Sequence, residues 1–244
     1  MPSMTDFRVC RWAAWAPGLE TPEAWGAWLA EPVWPLPAAD AVAPLAEVPA
    51  MTRRRIDPLG RAALQVAWWA QGAEPTGPVV FASRWGEIAR SVALLRQLSQ
   101  GEPLSPTAFS LSVHNASSAV YSIARGDTAN YSAVSAGPAS AAAGVCEALG
   151  LLAQGAPQVL VISVESALPE PYQGFERHPG PIRAWAVLLE PADAGLRLRA
   201  TAPSPATDDA ELPPDLATLQ FLVGQTPQWR QNSAQGGWLW SRHG

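Results

Sequence analysis

The chain has 244 residues, of which 48% are hydrophobic and 15% are charged, and its formal net charge is -5. A chain of this length buries roughly 70–75% of the surface that it exposes when unfolded, so we expect residues 1–244 to form one domain. Its 16 Lys and Arg are scattered apart from the run at 52–55. No basic stripe is present to neutralise phosphates, and nucleic acid is not an expected partner.

The cysteines and the first twenty residues bear on the compartment. Cys10 and Cys146 are the two cysteines, too few for a disulfide framework. Asp6 and Arg8 interrupt the stretch where a signal peptide needs an apolar core. The longest weakly polar run, 128–146, is too rich in Ala, Ser and Gly to form a membrane span. We therefore expect a cytoplasmic protein without a membrane span.

The first hundred residues predict alternating strands and helices. Thr21 is placed to cap a helix that Pro22 begins, and Asp57 precedes a second helix with an amphipathic pattern. Short apolar runs between the helices are typical of buried strands. The predicted elements are a strand at 7–15, helices at 22–30 and 57–73, a strand at 78–85 and a helix at 86–101.

The remaining residues continue the alternation and then lose it. The segment 203–244 is rich in proline, and we expect it to be an irregular C-terminal extension with one possible helix at 213–223. Continuous apolar strands that alternate with helices indicate an α/β fold, with a sheet covered on both faces. The predicted elements are a loop at 103–118 leading to a short helix, a strand at 130–136, a helix at 138–155 beginning with Pro138, a strand at 156–166, and a hairpin formed by 182–191 and 196–203.

The stretch "AVSAGPAS", residues 133–140, has the pattern of an active-site elbow between a strand and a helix. Backbone N–H groups at the start of a helix stabilise anions, so a cysteine placed there would be activated as a nucleophile. The turn positions here are Ala136, Gly137 and Pro138. None of these side chains can attack a carbonyl carbon, and proline has no N–H to donate. The turn is predicted to keep the shape of an active-site elbow but to lack a nucleophilic side chain.

Other residues offer alternative chemistry, each with a simpler structural explanation. Ser135 half-matches the G-x-S-x-G hydrolase elbow but lacks its first glycine, and a serine at a strand end commonly bonds to backbone. Cys146 lies on the apolar face of the predicted helix, where cysteine is usually a small hydrophobe. His114 could be a general base, but no nucleophile lies near it in the sequence, and His178 and His243 lie in polar loops or near the terminus. No His, Cys or acid spacing predicts a metal site, and no motif predicts a nucleotide cofactor.

Residues 105–152, "SPTAFSLSVHNASSAVYSIARGDTANYSAVSAGPASAAAGVCEALGLL", resemble the N-terminal half of β-ketoacyl-acyl carrier protein synthases. The likeness extends to "PVVFASRWGEI", "PQVLVISVES" and "IRAWAVLLE", so it covers roughly 5–200, and 103–165 is its most specific part. The resemblance implies a thiolase-like layered α/β fold with a mixed sheet between helices. It also implies a two-fold dimer formed partly through the strand "ANYSAVS".

Two departures from the family pattern bear on function. Active synthases carry a cysteine at the elbow, where this chain has Gly137 or Pro138, depending on the alignment. Their C-terminal half brings two histidines and a glycine-rich turn, and this chain has neither motif after residue 200. The chain thus resembles the non-catalytic chain length factor of the ketosynthase heterodimers that make aryl polyenes and other polyketides.

The resemblance implies that the partner is a full-length ketosynthase and that acyl carrier protein is met through that complex. Two other functions remain open at this point: a serine acyltransferase or hydrolase that uses Ser135, and a non-catalytic homodimer or scaffold of the same fold. The residues expected to line the acyl tunnel or the partner interface are Phe109, Leu111, Val113, His114, Asn115, Tyr131 and Val134.

Overall fold

The computed structural model describes residues 6–37, 39–74, 77–204, 212–232 and 236–243. Within these ranges the strands are β1 (Phe7–Trp15), β2 (Val79–Ala82), β3 (Tyr131–Val134), β4 (Val159–Glu165), β5 (Arg183–Pro191), β6 (Gly195–Thr201), β7 (Gln228–Gln231) and β8 (Gly237–His243). The α-helices are α1 (Pro22–Ala30), α2 (Ala50–Arg53), α3 (Pro58–Gln71), α4 (Ile88–Ser99), α5 (Pro106–Ser110), α6 (Ala116–Arg125), α7 (Ser140–Ala153) and α8 (Pro214–Val223).

These strands form one sheet in the order β3-β2-β4-β5-β1-β6-β8-β7. β2 pairs in parallel with β3 and β4, whereas β5 is antiparallel to β4 and β1 is antiparallel to β5. Parallel neighbours joined through helices are typical of α/β proteins, and the antiparallel strands make this sheet a mixed one. The predicted fold class, a mixed sheet between helices, is confirmed.

Each face of the sheet packs against its own layer of helices. Phe81, Leu160 and Ile162 belong to an apolar cluster with α3 and Tyr121 of α6. Val80 and Val161 belong to the opposite cluster, with residues of α1, α7 and α8. Because successive side chains in a strand point to opposite faces, strands covered on both sides read as continuous apolar runs. Each fully buried aliphatic or aromatic side chain contributes about 1.5–3 kcal/mol to the stability of this arrangement.

The two helix starts predicted from capping residues are confirmed. The hydroxyl of Thr21 accepts a hydrogen bond from the N–H of Ala24 at 3.2 Å. Asp57 Oδ1 accepts from the N–H of Gly60 at 2.8 Å. Both bonds satisfy an amide that has no carbonyl partner in the first turn of its helix. The local sequence therefore sets where α1 and α3 begin.

The start of α7 differs from the prediction. We expected the helix to begin at Pro138, but it begins at Ser140. The N–H of Ala139 donates to the carbonyl of Ala136 at 3.1 Å, and that of Ser140 donates to the carbonyl of Gly137 at 3.2 Å. These three-residue spacings close a tight turn around Pro138 before the helical pattern takes over. The fixed φ of proline suits a turn as well as the first turn of a helix.

The predicted hairpin of β5 and β6 is wrong. β1 lies between them in the sheet and shares a single residue pair with β6, Phe7 with Leu196. β6 pairs instead with β8 along its whole length, from Gly195 with His243 to Thr201 with Gly237. Periodicity identifies a strand but not its neighbour, because pairing depends on contacts that are distant in sequence.

The expectation of irregular structure after residue 203 is wrong for the part of that segment that the structure describes. The helix predicted at 213–223 is present as α8, and β7 and β8 follow it. The rings of Trp229 and Trp240 stack at 5.8 Å, and Phe221 of α8 lies 5.7 Å from Trp240. Aromatic packing onto the sheet thus orders a segment whose proline content suggested a loop.

The predicted loop 103–118 contains a short helix of its own and the start of another. Ser105 caps α5 by accepting a hydrogen bond from the N–H of Ala108 at 3.3 Å. After a four-residue break and Asn115, the chain enters α6 at Ala116. The segment between α4 and α6 is therefore a folded connection that lies beside the end of β2.

Candidate functional site: a degenerate elbow and an exposed apolar surface

The elbow after β3 is closed by its own side chains and amides. Gly137 has a φ of 57°, in the left-handed region that favours glycine. Ser140 Oγ accepts a hydrogen bond from the N–H of Ala136 at 3.0 Å and donates to the carbonyl of Gly137 at 2.7 Å. The tight strand-to-helix turn predicted from "AVSAGPAS" is therefore present.

This turn has the shape of a nucleophile elbow but cannot perform its chemistry. Ala136, Gly137 and Pro138 have no side chain that can form an acyl bond. The N–H groups of Ala136, Ala139 and Ser140 donate to atoms within the turn, and proline has none. An oxyanion hole needs free N–H groups that point at the reacting oxygen, so these amides do not supply one.

Ser135 is engaged with backbone. Its hydroxyl is exposed and donates to the carbonyl of Arg84 at 3.0 Å. A serine nucleophile needs a general base that accepts its proton, and here the proton is directed to a carbonyl oxygen. The geometry therefore favours the structural explanation of Ser135 over the hydrolase alternative.

A small polar pocket lies beside the elbow and was not predicted from the sequence. Arg183 and Asp215 form a buried bidentate ion pair across it, at 2.7 and 2.9 Å. The Arg183 guanidinium also lies over the ring of Trp34, 5.0 Å from its centre. Such a pair fixes the start of β5 against the first turn of α8. The pocket is lined by Arg84, Trp85, Gly137, Pro138, Ser140, Ala141, Glu165, Glu176, His178, Arg183, Pro213, Pro214 and Asp215.

Glu165, at the end of β4, is the most unusual group of this pocket. Its carboxyl is buried and accepts a hydrogen bond from the N–H of Arg84 at 2.7 Å. Burial, followed by the negative charge of Asp215, raises the pKa of Glu165. A carboxyl at the end of an otherwise apolar strand is a signal that sequence reasoning could have used. Its ionic neighbours were out of reach, because α8 comes together with β4 only in the folded chain.

The remaining cysteine and histidine candidates are tied into the structure. Cys146 is half-buried against the apolar cluster of α7, and burial raises the pKa of its thiol, which disfavours the thiolate. His114 Nε2 lies 2.9 Å from the carbonyl oxygen of Ser83. His243 is in β8, where it shares a hydrogen bond with Ser241 at 2.8 Å. His178 lines the pocket beside the elbow, with its ring edge-on to Trp34 at 6.5 Å.

The residues predicted for a tunnel or partner interface lie mainly at the surface. Phe109 is 63% exposed, Val113 46% and Tyr131 40%. Asn115 is also exposed, whereas Leu111, His114 and Val134 are half-buried. β3 is the last of the described strands at its end of the sheet, so none of them pairs with its outer edge. Large apolar side chains together with an open strand edge are typical of a surface that pairs with another chain.

The part of the chain that the structure describes holds no group of three or more His, Cys, Asp or Glu side chains arranged to bind a metal ion. None of its helices combines the length and the apolar character needed to cross a membrane.

Comparison with known proteins identifies the family. The family model for the β-ketoacyl synthase N-terminal domain matches residues 25–241. The solved structure of the ketosynthase ApeO in complex with its chain length factor ApeC, from Xenorhabdus doucetiae, contains a chain that is 30% identical. That likeness covers 98% of this chain and 100% of the other, with a TM-score of 0.86. No protein with a curated description matches this chain.

Two more distant structures share the fold. The ishigamide ketosynthase/chain length factor is 17% identical with a TM-score of 0.60, over 80% of this chain and 67% of the other. The complex of AntDE with AntF, a type II polyketide synthase acyl-carrier protein with its ketosynthase, is 13% identical with a TM-score of 0.61, over 83% and 71%. The elbow, the mixed sheet between helices and the match over most of the length agree: the chain belongs to the β-ketoacyl synthase N-terminal domain family.

Proposed function

We propose that the chain is a non-catalytic chain length factor. It pairs with a complete β-ketoacyl-acyl carrier protein synthase and shapes the acyl tunnel of that enzyme during polyene or polyketide biosynthesis. The observation that carries the proposal is the elbow at 135–140, which keeps the synthase shape but has no nucleophile in its turn. A subunit of this kind contributes part of the tunnel wall, and the partner contributes the catalytic residues.

The exposed apolar residues support a role in pairing. Phe109 and Val113 are 63% and 46% exposed, so they are not ordinary core residues of this chain. Leaving side chains of this size in water is unfavourable, and a partner that covers them gains about 25 cal/mol for each Å² removed from water. The free edge of β3 offers backbone hydrogen bonds to the same partner.

The comparison with solved structures supports the pairing as well. This chain aligns over the full length of a chain in the complex of ApeO with its chain length factor. By analogy, the second member of the pair is a full-length ketosynthase, and acyl carrier protein docks on the assembled pair.

The proposed tunnel role follows from size and position. Phe109, Leu111 and Val113 lie on and after α5, where a partner that covers this surface would meet them. A close-packed wall yields to a growing acyl chain only with strain, so the volume of these side chains sets where growth stops.

Co-purification tests the proposal. The tagged chain is expressed together with a candidate full-length ketosynthase from the same genome, and the pair is incubated with malonyl- and acyl-loaded acyl carrier protein. We expect a one-to-one complex that forms polyketide product, with the acyl group attached to the ketosynthase alone in intact-mass spectra. An acyl adduct on this chain, or wild-type product formation by the ketosynthase without it, would contradict the proposal.

A further inference from the structure

The segment 105–115 is fastened to the turn between β2 and α4. His114 Nε2 lies 2.9 Å from the carbonyl oxygen of Ser83. A carbonyl oxygen only accepts, so Nε2 carries the hydrogen and donates it. A second attachment lies beside the first, since Ser91 Oγ in α4 donates to the carbonyl of Ser112 at 3.2 Å. The segment therefore has two fixed points on one neighbouring turn and helix.

The imidazole of His114 packs closely against neighbouring residues. Its ring is edge-on to the buried ring of Phe81, at 6.2 Å between centres and 80° between planes. Gly86 lies close to the same ring, and a Cβ added there would be 2.7 Å from His114 Cδ2. Real Cβ atoms do not approach a ring so closely, so the turn touches the imidazole only because residue 86 is glycine. This close packing leaves the imidazole ring of His114 little freedom to rotate.

Ser83 connects His114 to the edge strand β3. Its carbonyl accepts from His114, and its N–H donates to the carbonyl of Val134 at the end of β3, at 3.2 Å. One residue thus joins the segment that carries exposed Phe109 to the strand that carries exposed Tyr131. Two hydrogen bonds of Ser83 therefore link the two segments that carry these exposed apolar side chains.

We propose that His114 is a positioning residue, which holds the apolar side chains of 105–113 in place relative to β3 before a partner binds. A surface that is already ordered loses less conformational entropy on association, so it pairs more tightly and presents one shape. The anchoring of residues 105–113 is a property of the isolated chain, whereas its effect on pairing and on product length rests on the proposed function.

Hydrogen–deuterium exchange of the isolated chain tests the anchoring. His114→Leu keeps bulk but removes the donor, and we expect the amides of α5 to exchange about tenfold faster while those of β4 are unchanged. His114→Gln places an amide N–H near the position of Nε2 and should restore wild-type exchange. His243→Leu makes the same chemical change at an exposed site in β8 and serves as the control. Wild-type exchange of α5 in His114→Leu would overturn the proposal.

Ser91→Ala provides a milder variant in case His114→Leu does not fold. It removes the second attachment only, and we expect severalfold faster exchange in α5. The reconstituted pair gives the functional measurement: His114→Leu should broaden the product-length distribution, and His114→Gln should not. If the wild-type chain pairs with no ketosynthase while the exchange results hold, the proposed function fails and the anchoring stands. If the wild-type pair is active and His114→Leu leaves both exchange and products unchanged, the positioning role fails and the proposed function stands.

Discussion

The hydroxyl of Ser140 holds the elbow turn by accepting from the N–H of Ala136 and donating to the carbonyl of Gly137. These bonds keep the left-handed turn at Gly137, although no nucleophile sits there. At the scale of single residues, the turn therefore keeps the shape of an active-site elbow but lacks a nucleophile.

A cysteine at the turn should not restore synthesis. In Gly137→Cys we expect no condensation of malonyl units by the isolated chain, because residues that act as a unit in catalysis fail as a unit. His114 is committed to Ser83, and His243 lies in β8 beside Ser241. The measurement is product analysis with acyl carrier protein substrates, with the wild-type chain as control. Condensation by the variant alone would show that the other catalytic groups are present.

Glu87 should make stability depend on pH. Burial, followed by the neighbouring carboxyl of Asp57, raises the pKa of Glu87 from its ordinary value of 4.5 to about 8. The folded state then holds a proton that the unfolded state releases, so this contribution is present below about pH 4.5 and is lost as pH rises towards 8. Glu87→Gln removes the titration. We expect its melting temperature to fall less than that of wild type between pH 5 and 8, by about 2–4 °C for each kcal/mol involved.

The matched control for this experiment is Glu23→Gln, an exposed acid in the first turn of α1. Its pH profile should follow that of wild type. A Glu87→Gln profile parallel to wild type over the same range would mean that Glu87 is already ionised at pH 5.

At the scale of elements, α7 approaches the sheet closely because of one glycine. A Cβ added to Gly144 would lie 2.8 Å from the Cβ of Ala82 in β2, whereas one added to Gly150 meets nothing within 4 Å. We expect Gly144→Ala to destabilise the fold by about 1–3 kcal/mol through overpacking. Gly150→Ala should stabilise it by up to about 1 kcal/mol, since alanine favours helix. Urea unfolding measures both, and equal effects of the two variants would contradict this packing.

The segment around α5 should set product length. Replacing exposed Phe109 by alanine opens space, and we expect the reconstituted pair to make products longer by one or two extension units. Val113→Trp should shorten them, because a packed wall does not yield without strain. Ile123→Ala, at a side chain 79% exposed on α6, is the control. Mass spectrometry of the products decides, and wild-type lengths at reduced yield would give this segment a structural role only.

At the scale of the whole molecule, the open edge of β3 should determine pairing. Obligate heterodimers commonly bury about 2,000 Å² or more in total, so a charge within the interface is costly. We expect Tyr131→Asp to reduce co-purification with the ketosynthase by about tenfold or more. Val33→Asp places the same charge at a residue that is 54% exposed elsewhere, and it should pair normally. Equal yields of complex from both variants would show that β3 is not the interface.

Local chemistry in the sequence determined the helix starts at Thr21 and Asp57, the apolar strands and the missing nucleophile. Each depends on residues a few positions apart, so it can be inferred without the fold. The resemblance to ketosynthases added the layered architecture, because the motifs of 103–165 stand in the family order.

Only the tertiary structure decided which strands are neighbours and which polar groups meet. β6 pairs with β8 and not with β5, and the Arg183–Asp215 ion pair forms beside Glu165, because these contacts join segments far apart in sequence. The exposure of Phe109 belongs to the same class, since the sequence shows an apolar side chain but not whether the fold covers it. Whether a side chain is buried depends on how the layers assemble, and the same is true of strand pairing, ion pairs and exposed apolar surfaces.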